Sequence, residues 1–213
     1  MGLQKLLPRS IRVASCYVKC TKTKANKQLS REQKLNTILK IENAWLGDLT
    51  KLFKGEGIQD GAIAVGMKDM AAIYTSLNAP DNAIRFLNEA LGHFPRIVAE
   101  RPTDQTMFVS YMLAIYYKGK AYSQKGMVEA CEKEYDDVNL KLNTAIANDP
   151  SNSRLQELYG YLNKQIFYDY IAIADNFQDR KQNAYRTCFN QLKTFEQRDP
   201  GNSQLLDYID RFN

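Results

Sequence analysis

Two short stretches, Asp149-Pro150-Ser151-Asn152-Ser153-Arg154-Leu155 and Asp199-Pro200-Gly201-Asn202-Ser203-Gln204-Leu205, are identical at five of seven positions. Each follows a segment in which apolar residues recur at helical spacing. Proline lacks an amide hydrogen and ends the preceding helix, while asparagine and serine supply side-chain oxygens that cap the next one. Helices that recur with a fixed break are typical of an alpha-solenoid. The chain is therefore predicted to be all-α.

The same alternation of helices and turns is predicted upstream of these stretches. Ser30 and Gln33 have capping-box spacing and begin a helix that should stop at Gly55 and Gly57. The next helix is expected from a cap at Asp60 to about Leu77. The helix after it should end near Gly92 and Pro95, with an apolar face made by Ile84, Leu87, Leu91 and Phe94.

The second half of the chain continues the pattern. One helix is predicted from about Asp104 to Gln124, and the next, after Gly126, should end at Asp149 with an apolar stripe of Cys131, Tyr135, Val138, Leu142 and Ala145. A long helix is expected from Ser153 to about Phe177 and a short one from Ser203 to Phe212. Between these two predicted helices, Ala184, Cys188, Leu192 and Phe195 form another apolar stripe at helical spacing.

Residues 67–95 resemble a tetratricopeptide repeat (TPR). Three kinds of residue stand at the family's spacing. They are the small residues Ala71, Ala83 and Ala90, the large residues Met67, Met70, Tyr74 and Leu87, and the closing proline Pro95. Weaker matches are Gly119, Tyr122, Gly126, Ala130, Ala145 and Pro150 in a second unit and Ala172, Ala184 and Pro200 in a third. The closing prolines are 55 and 50 residues apart, beyond the family's repeat of about 34 residues. The array is therefore similar to TPR proteins over residues 60–213, but divergent and with lengthened helices.

The resemblance implies a TPR-like alpha-alpha superhelix of about three antiparallel helix pairs plus flanking helices. In TPR proteins the first helix of each pair lines a concave groove, which implies partner-binding positions at Lys68, Tyr117 and Tyr170. The alternative for the tyrosines is that they fill the core, as large aromatic side chains usually do. Some TPR proteins bind the terminal carboxylate of a partner with a set of Lys, Asn and Arg residues. Lys68 stands at one of these positions, but Ala72, Tyr117, Gln165 and Tyr170 stand at most of the others. We therefore do not expect this carboxylate clamp.

The charge of the chain is unevenly distributed. Residues 1–31 hold eight of the 29 basic residues and no acid, so 21 basic residues remain against 24 acidic ones. We define residues 1–29 as a basic N-terminal extension and residues 30–213 as the helical domain. The basic positions Lys5, Arg9, Arg12 and Lys19 alternate with apolar residues, which resembles a mitochondrial presequence. A solvated extension and an arm that contacts RNA or anionic lipid through residues 1–31 remain alternatives.

Several chemistries find little support in the sequence. His93 is the only histidine, and its predicted place at a helix end favours a structural role over catalysis. Cys16 and Cys20 are one turn apart, but no cluster completes a zinc site. The scattered cysteines favour a reducing compartment, and the longest apolar runs are far too short for a membrane span. We therefore expect no enzyme activity, cofactor, metal, small-molecule substrate or transmembrane segment.

Two classes of function remain. The first is a non-catalytic protein-protein interaction scaffold or a structural subunit of a larger complex, mitochondrial by the presequence-like extension and otherwise cytoplasmic, with other protein subunits as partners. The second is a basic-armed protein that binds RNA or a membrane surface and uses the solenoid as its platform. A steep loss of binding with salt is expected only of the second.

Overall fold

The computed structural model of the chain describes residues 9–52 and 59–177 and four later positions, Arg186, Thr187, Asn190 and Lys193. Every regular element in this part of the chain is helical, which confirms the all-α prediction. The helices are α1 Arg9–Ala25, α2 Arg31–Leu52, α3 Gln59–Ser76, α4 Pro80–Glu100, α5 Gln105–Gln124, α6 Val128–Asn148 and α7 Ser153–Asn176. The chain divides into two compact units, unit 1 (Met1–Ala121) and unit 2 (Tyr122–Asn213).

Two predicted helix starts are confirmed by their hydrogen bonds. The Ser30 hydroxyl accepts from the Gln33 amide at 3.1 Å, and the Ser30 amide donates to Gln33 Oε1 at 2.8 Å. This reciprocal capping box satisfies two amides that α2 would otherwise leave unpaired. The Asn152 side chain accepts from the Leu155 amide at 3.3 Å and caps α7 in the same sense.

The α3–α4 turn is tight and is stabilised by hydrogen bonds from a residue of α2. Asn78 has φ 53, a left-handed conformation that asparagine tolerates better than most residues. Pro80 follows as the first residue of α4, where its missing amide costs nothing. Arg31 donates to the Leu77 and Asn78 carbonyls at 2.7 and 2.6 Å, so the beginning of α2 is tied to the end of α3.

The core of unit 1 lies between α1, α2, α3 and α4. α1 packs against both α2 and α3, and α3 packs along α4. The fully buried large side chains of this core include Ile38, Tyr74, Phe86, Leu87 and Phe94. The predicted apolar residues Met67, Met70 and Ala71 of α3 are buried in the same cluster.

The predicted end of α4 was wrong. α4 continues through Gly92, His93 and Pro95 to Glu100, so His93 does not lie at a helix end. Proline removes one backbone hydrogen bond and usually breaks a helix. Here Phe94 and Ile97, on either side of Pro95, are both buried in the core. Their burial holds the helix together across the proline.

Unit 2 contains α6 and α7, which pack against each other. The stripe Cys131, Tyr135, Val138 and Leu142 is buried as predicted, and Ala145 is half-buried. Tyr135 on α6 donates to the Asp169 carboxylate on α7 at 2.8 Å, and both side chains are buried. Phe177 packs on Gly126, whose φ of 67 ends the preceding helix in the left-handed region.

Some predictions lie outside the described residues. These are the helix stop at Gly55 and Gly57, the stripe from Ala184 to Phe195 and the final helix at 203–212. α3 begins at Gln59, so Asp60 lies within the helix and not at the predicted cap position. Across residues 9–52 and 59–177, no helix combines the length and the apolarity that crossing a membrane requires.

Candidate functional site

Residues from three helices in unit 1 line an open cavity of about 250 Å³. α1, α3 and α5 each present residues near their carboxyl ends to it. The lining residues are Tyr17, Thr21 and Lys24 from α1, Ala72, Ile73, Thr75 and Ser76 from α3, and Tyr117 and Lys120 from α5. We call this the α1–α3–α5 cavity. It is the candidate site because it is open and joins cationic, hydroxyl and aromatic side chains.

The burial of Cys16 and Cys20 sets the orientation of α1 and thereby the face of this helix that lines the cavity. Cys16 is 6% exposed and Cys20 is fully buried, so this side of the helix belongs to the core. Tyr17, Thr21 and Lys24 follow the spacing of four and three residues that places side chains along one helical face. Packing of the cysteines therefore leaves this second face available to line the cavity.

The α3 wall supplies hydrogen-bond acceptors. The Thr75 hydroxyl donates to the Ala72 carbonyl at 2.9 Å, and the Ser76 hydroxyl donates to the Ile73 carbonyl at 2.7 Å. A hydroxyl has one proton and two lone pairs, so the Ser76 oxygen keeps acceptor capacity. Ile73 and Ala72 contribute apolar surface between these groups.

The α5 wall combines a tyrosine with a lysine. Lys120 Nζ donates to the Tyr116 phenol oxygen at 3.2 Å and lies 5.7 Å from the centroid of the Tyr116 ring. The rings of Tyr116 and Tyr117 are tilted by 51° with centroids 5.3 Å apart. Tyr116 is buried and Tyr117 half-buried, so this aromatic pair fixes one side of the cavity.

The cavity carries a net positive charge among its described lining residues. Lys24 and Lys120 are cationic, and none of the described lining residues carries a carboxylate, imidazole or thiol. The carboxyl ends of helices oppose this charge because each carries a partial negative charge of about half a unit. At α3 that effect is offset by the Arg31 guanidinium on the Leu77 and Asn78 carbonyls.

The three predicted partner-binding positions lie in different surroundings. Tyr117 lines the cavity. Lys68 is 8% exposed and its ammonium is 2.7 Å from the Asp69 carboxylate. Tyr170 is 1% exposed and packs edge-on against Tyr135, with ring centroids 5.7 Å apart. The surroundings of Tyr170 match the alternative in which tyrosines fill the core.

Of the predicted basic arm, Lys19 lies exposed on α1. Arg9 and Arg12 belong to the same helix, and Lys5 lies outside the described residues. The sequence alone did not assign Tyr17, Lys24 or Lys120 to a site. The signal for the first two was their helical spacing within a segment that was interpreted only through its charge.

The thiols of α1 form a hydrogen-bonded pair. The hydrogen bond from Cys20 lowers the pKa of Cys16, and the same bond together with burial raises the pKa of Cys20. Burial also raises the pKa of Cys131 in unit 2. Throughout the part of the chain that the structure describes, no three histidine, cysteine or acidic side chains are grouped as metal ligands.

Comparison with protein-family models, curated protein sequences and solved structures finds no match to this chain.

Proposed function

We propose that the chain is a non-catalytic, TPR-like scaffold that binds a partner protein through the face where α1, α3 and α5 meet. The single observation that carries this proposal is the open cavity on that face, lined by tyrosine, hydroxyl and lysine side chains. Tyrosine is enriched where proteins bind each other because its rigid ring buries a large area and its hydroxyl tolerates water.

The order of helix contacts in unit 1 supports the repeat interpretation. α1 contacts its successor α2 and also α3, and α3 contacts its successor α4. In stacked helix pairs, each first helix packs on its own partner and on the first helix of the next pair. The contacts of α1 follow this rule, which would make α1 part of the array although the sequence assigns it to the extension.

The chemistry of the lining favours binding over catalysis. General acid-base catalysis needs a group that exchanges a proton near neutral pH, usually an imidazole or a carboxylate. The cavity instead presents two lysines, two tyrosines, two threonines and a serine. These side chains hold a ligand through charge, hydrogen bonds and aromatic contact.

The native size of the endogenous protein tests the scaffold proposal. An extract prepared at physiological salt is separated by gel filtration, and the chain is followed by immunoblot beside the purified recombinant protein of 24.4 kDa. We expect the endogenous chain to elute as a larger species and to be recovered with partner subunits. Elution with the recombinant monomer in every extract would refute a fixed role in an assembly.

A second function is favoured by the outer side of α1. Lys19 and Lys22 are exposed there and do not line the cavity, and the exposed fraction of Val18 is 47%. A helix with basic and apolar groups on its surface suits an anionic membrane or RNA. Binding of labelled RNA or phosphatidylserine vesicles that weakens steeply from about 50 to 200 mM salt would support this function.

We propose a mitochondrial location for the same protein, supported by the basic, acid-free composition of residues 1–31. The burial of Cys16 and Cys20 in the core of unit 1 limits where such a presequence can be cleaved. A presequence cut after Cys20 would remove both residues from that core, so we expect any processing to occur upstream of Cys16. Mass spectrometry of the amino-terminal peptide from purified mitochondria tests both the location and the cut.

A further inference from the structure

We infer that the α1–α3–α5 cavity binds an acidic segment of the partner polypeptide, with a ligand carboxylate between Lys24 and Lys120. This inference rests on the scaffold function proposed above and names the chemistry of the partner.

The charge of the cavity selects the first property of the ligand. Two ammonium groups from two different helices line one space of about 250 Å³, with no acidic side chain among the described lining residues. A lysine ammonium carries three donors on a flexible stem, and Lys120 uses one of them on the Tyr116 phenol. A ligand carboxylate would receive charge-assisted hydrogen bonds there, which are stronger than those between neutral groups.

The α3 wall selects the second property. Because the Ser76 hydroxyl already donates to the Ile73 carbonyl at 2.7 Å, its oxygen faces a ligand as an acceptor. The complementary ligand therefore needs hydrogen-bond donors beside its negative charge. A polypeptide offers backbone N–H groups next to aspartate or glutamate side chains.

The aromatic walls supply the third property. Tyr17 on α1 and Tyr117 on α5 both border the cavity, and Ala72 and Ile73 add apolar surface. This combination suits the apolar stem of a side chain whose charged end reaches the lysines. The volume accepts one or two side chains, which makes the cavity an anchor point within a larger interface.

A matched set of lysine substitutions isolates the cavity from the general basic charge of α1. Lys24→Glu and Lys120→Glu reverse the charge of the two lining lysines. Lys22→Glu makes the same change at an exposed position of the same helix that does not line the cavity. Circular dichroism and thermal melting of all three variants confirm that each is folded before binding is measured.

The binding experiment uses fluorescence anisotropy with defined probes on the full chain. The main probe is a labelled ten-residue peptide of aspartate, glutamate, glycine and phenylalanine. A peptide with asparagine and glutamine in place of the acids, a single-stranded RNA and phosphatidylserine vesicles are the comparisons. We expect saturable binding of the acidic peptide, weakened about tenfold by each cavity variant and less than about twofold by Lys22→Glu.

The opposite results overturn the inference. These are absence of binding to the acidic peptide, equal loss in all three variants, or selective binding of RNA or vesicles that the cavity variants abolish. Failure of the scaffold proposal looks different, because the endogenous chain would then elute as a monomer whatever the peptide does. A large native complex together with unaltered peptide binding in the cavity variants would refute the cavity inference alone.

Discussion

The Tyr74 phenol donates a 2.6 Å hydrogen bond to the Glu42 carboxylate, and neither side chain is exposed. The other carboxylate oxygen accepts from Arg85 Nη2 at 2.6 Å. One buried acid on α2 is thereby paired with α3 and α4 at once. A buried charge is costly when it lacks such partners, so this group fixes the relative positions of the three helices in unit 1.

Removal of the Tyr74 hydroxyl should destabilise unit 1. In Tyr74→Phe the ring remains, but Glu42 loses one of its two hydrogen bonds in a buried place. We expect the free energy of unfolding to fall by about 1–3 kcal/mol. Urea denaturation followed by circular dichroism measures the change. The control Tyr17→Phe alters an exposed tyrosine of the same unit and should change stability by less than about 0.5 kcal/mol; equal effects would contradict the assignment.

The same pair predicts a loss of stability at high pH. Burial and the hydrogen bond to Glu42 raise the pKa of Tyr74 above its ordinary value. The unfolded chain therefore releases this proton first, and the stabilisation is complete below pH about 10 and is lost as pH rises through the folded-state value. Between pH about 10 and 11 we expect a steeper decline for the natural chain than for Tyr74→Phe. Parallel stability curves would show that Tyr74 does not contribute.

The Arg31 bridge should determine how firmly the α3–α4 turn is held. Arg31→Ala removes both donors from the Leu77 and Asn78 carbonyls. We expect a loss of about 1–2 kcal/mol and faster hydrogen exchange of the turn amides at residues 77–79. Lys40→Ala, an exposed change on the same helix, is the control and should leave exchange in the turn unaltered.

Two glycines of unit 2 should respond to alanine in opposite directions. A Cβ at Gly126 would lie 2.7 Å from the Phe177 ring and would occupy a φ of 67. Gly126→Ala should therefore cost more than about 1 kcal/mol. At Gly160, within α7, an added Cβ meets nothing within 4 Å, and alanine should stabilise by about 0.5–1 kcal/mol.

Thermal melting of the two alanine variants decides between these effects. The double variant Gly126→Ala/Phe177→Ala separates the steric contact from the backbone strain. We expect it to remain less stable than Phe177→Ala alone, because the left-handed φ persists. Stabilisation by Gly126→Ala would show that the turn tolerates a side chain.

Local signals predicted the helix boundaries well where a side chain completes the cap. The Ser30 and Asn152 caps depend on residues three positions apart, and their hydrogen bonds are within the described part of the chain. Pro95 misled the prediction because its local cost is outweighed by burial of Phe94 and Ile97. That burial depends on residues distant in sequence, which a single helical segment does not reveal.

The candidate site was less accessible to sequence reasoning. Tyr117 was predicted as a binding position and lines the cavity, but so do Tyr17 and Lys24 from a segment interpreted as an extension. The core location of Cys16 and Cys20 was the missing information. Burial cannot be predicted from two cysteines in a basic segment. Only their packing in the structure shows which face of α1 lines the cavity.

The proposed function is to hold a partner protein at the α1–α3–α5 cavity. Its most direct test is quantitative co-purification from cells that express the tagged full chain as the natural sequence, as Lys22→Glu or as Lys24→Glu/Lys120→Glu. We predict the same stoichiometric partner with the first two and a loss of about tenfold or more with the double cavity variant. Equal recovery of the partner with all three, or recovery of the chain alone with all three, would contradict the claim.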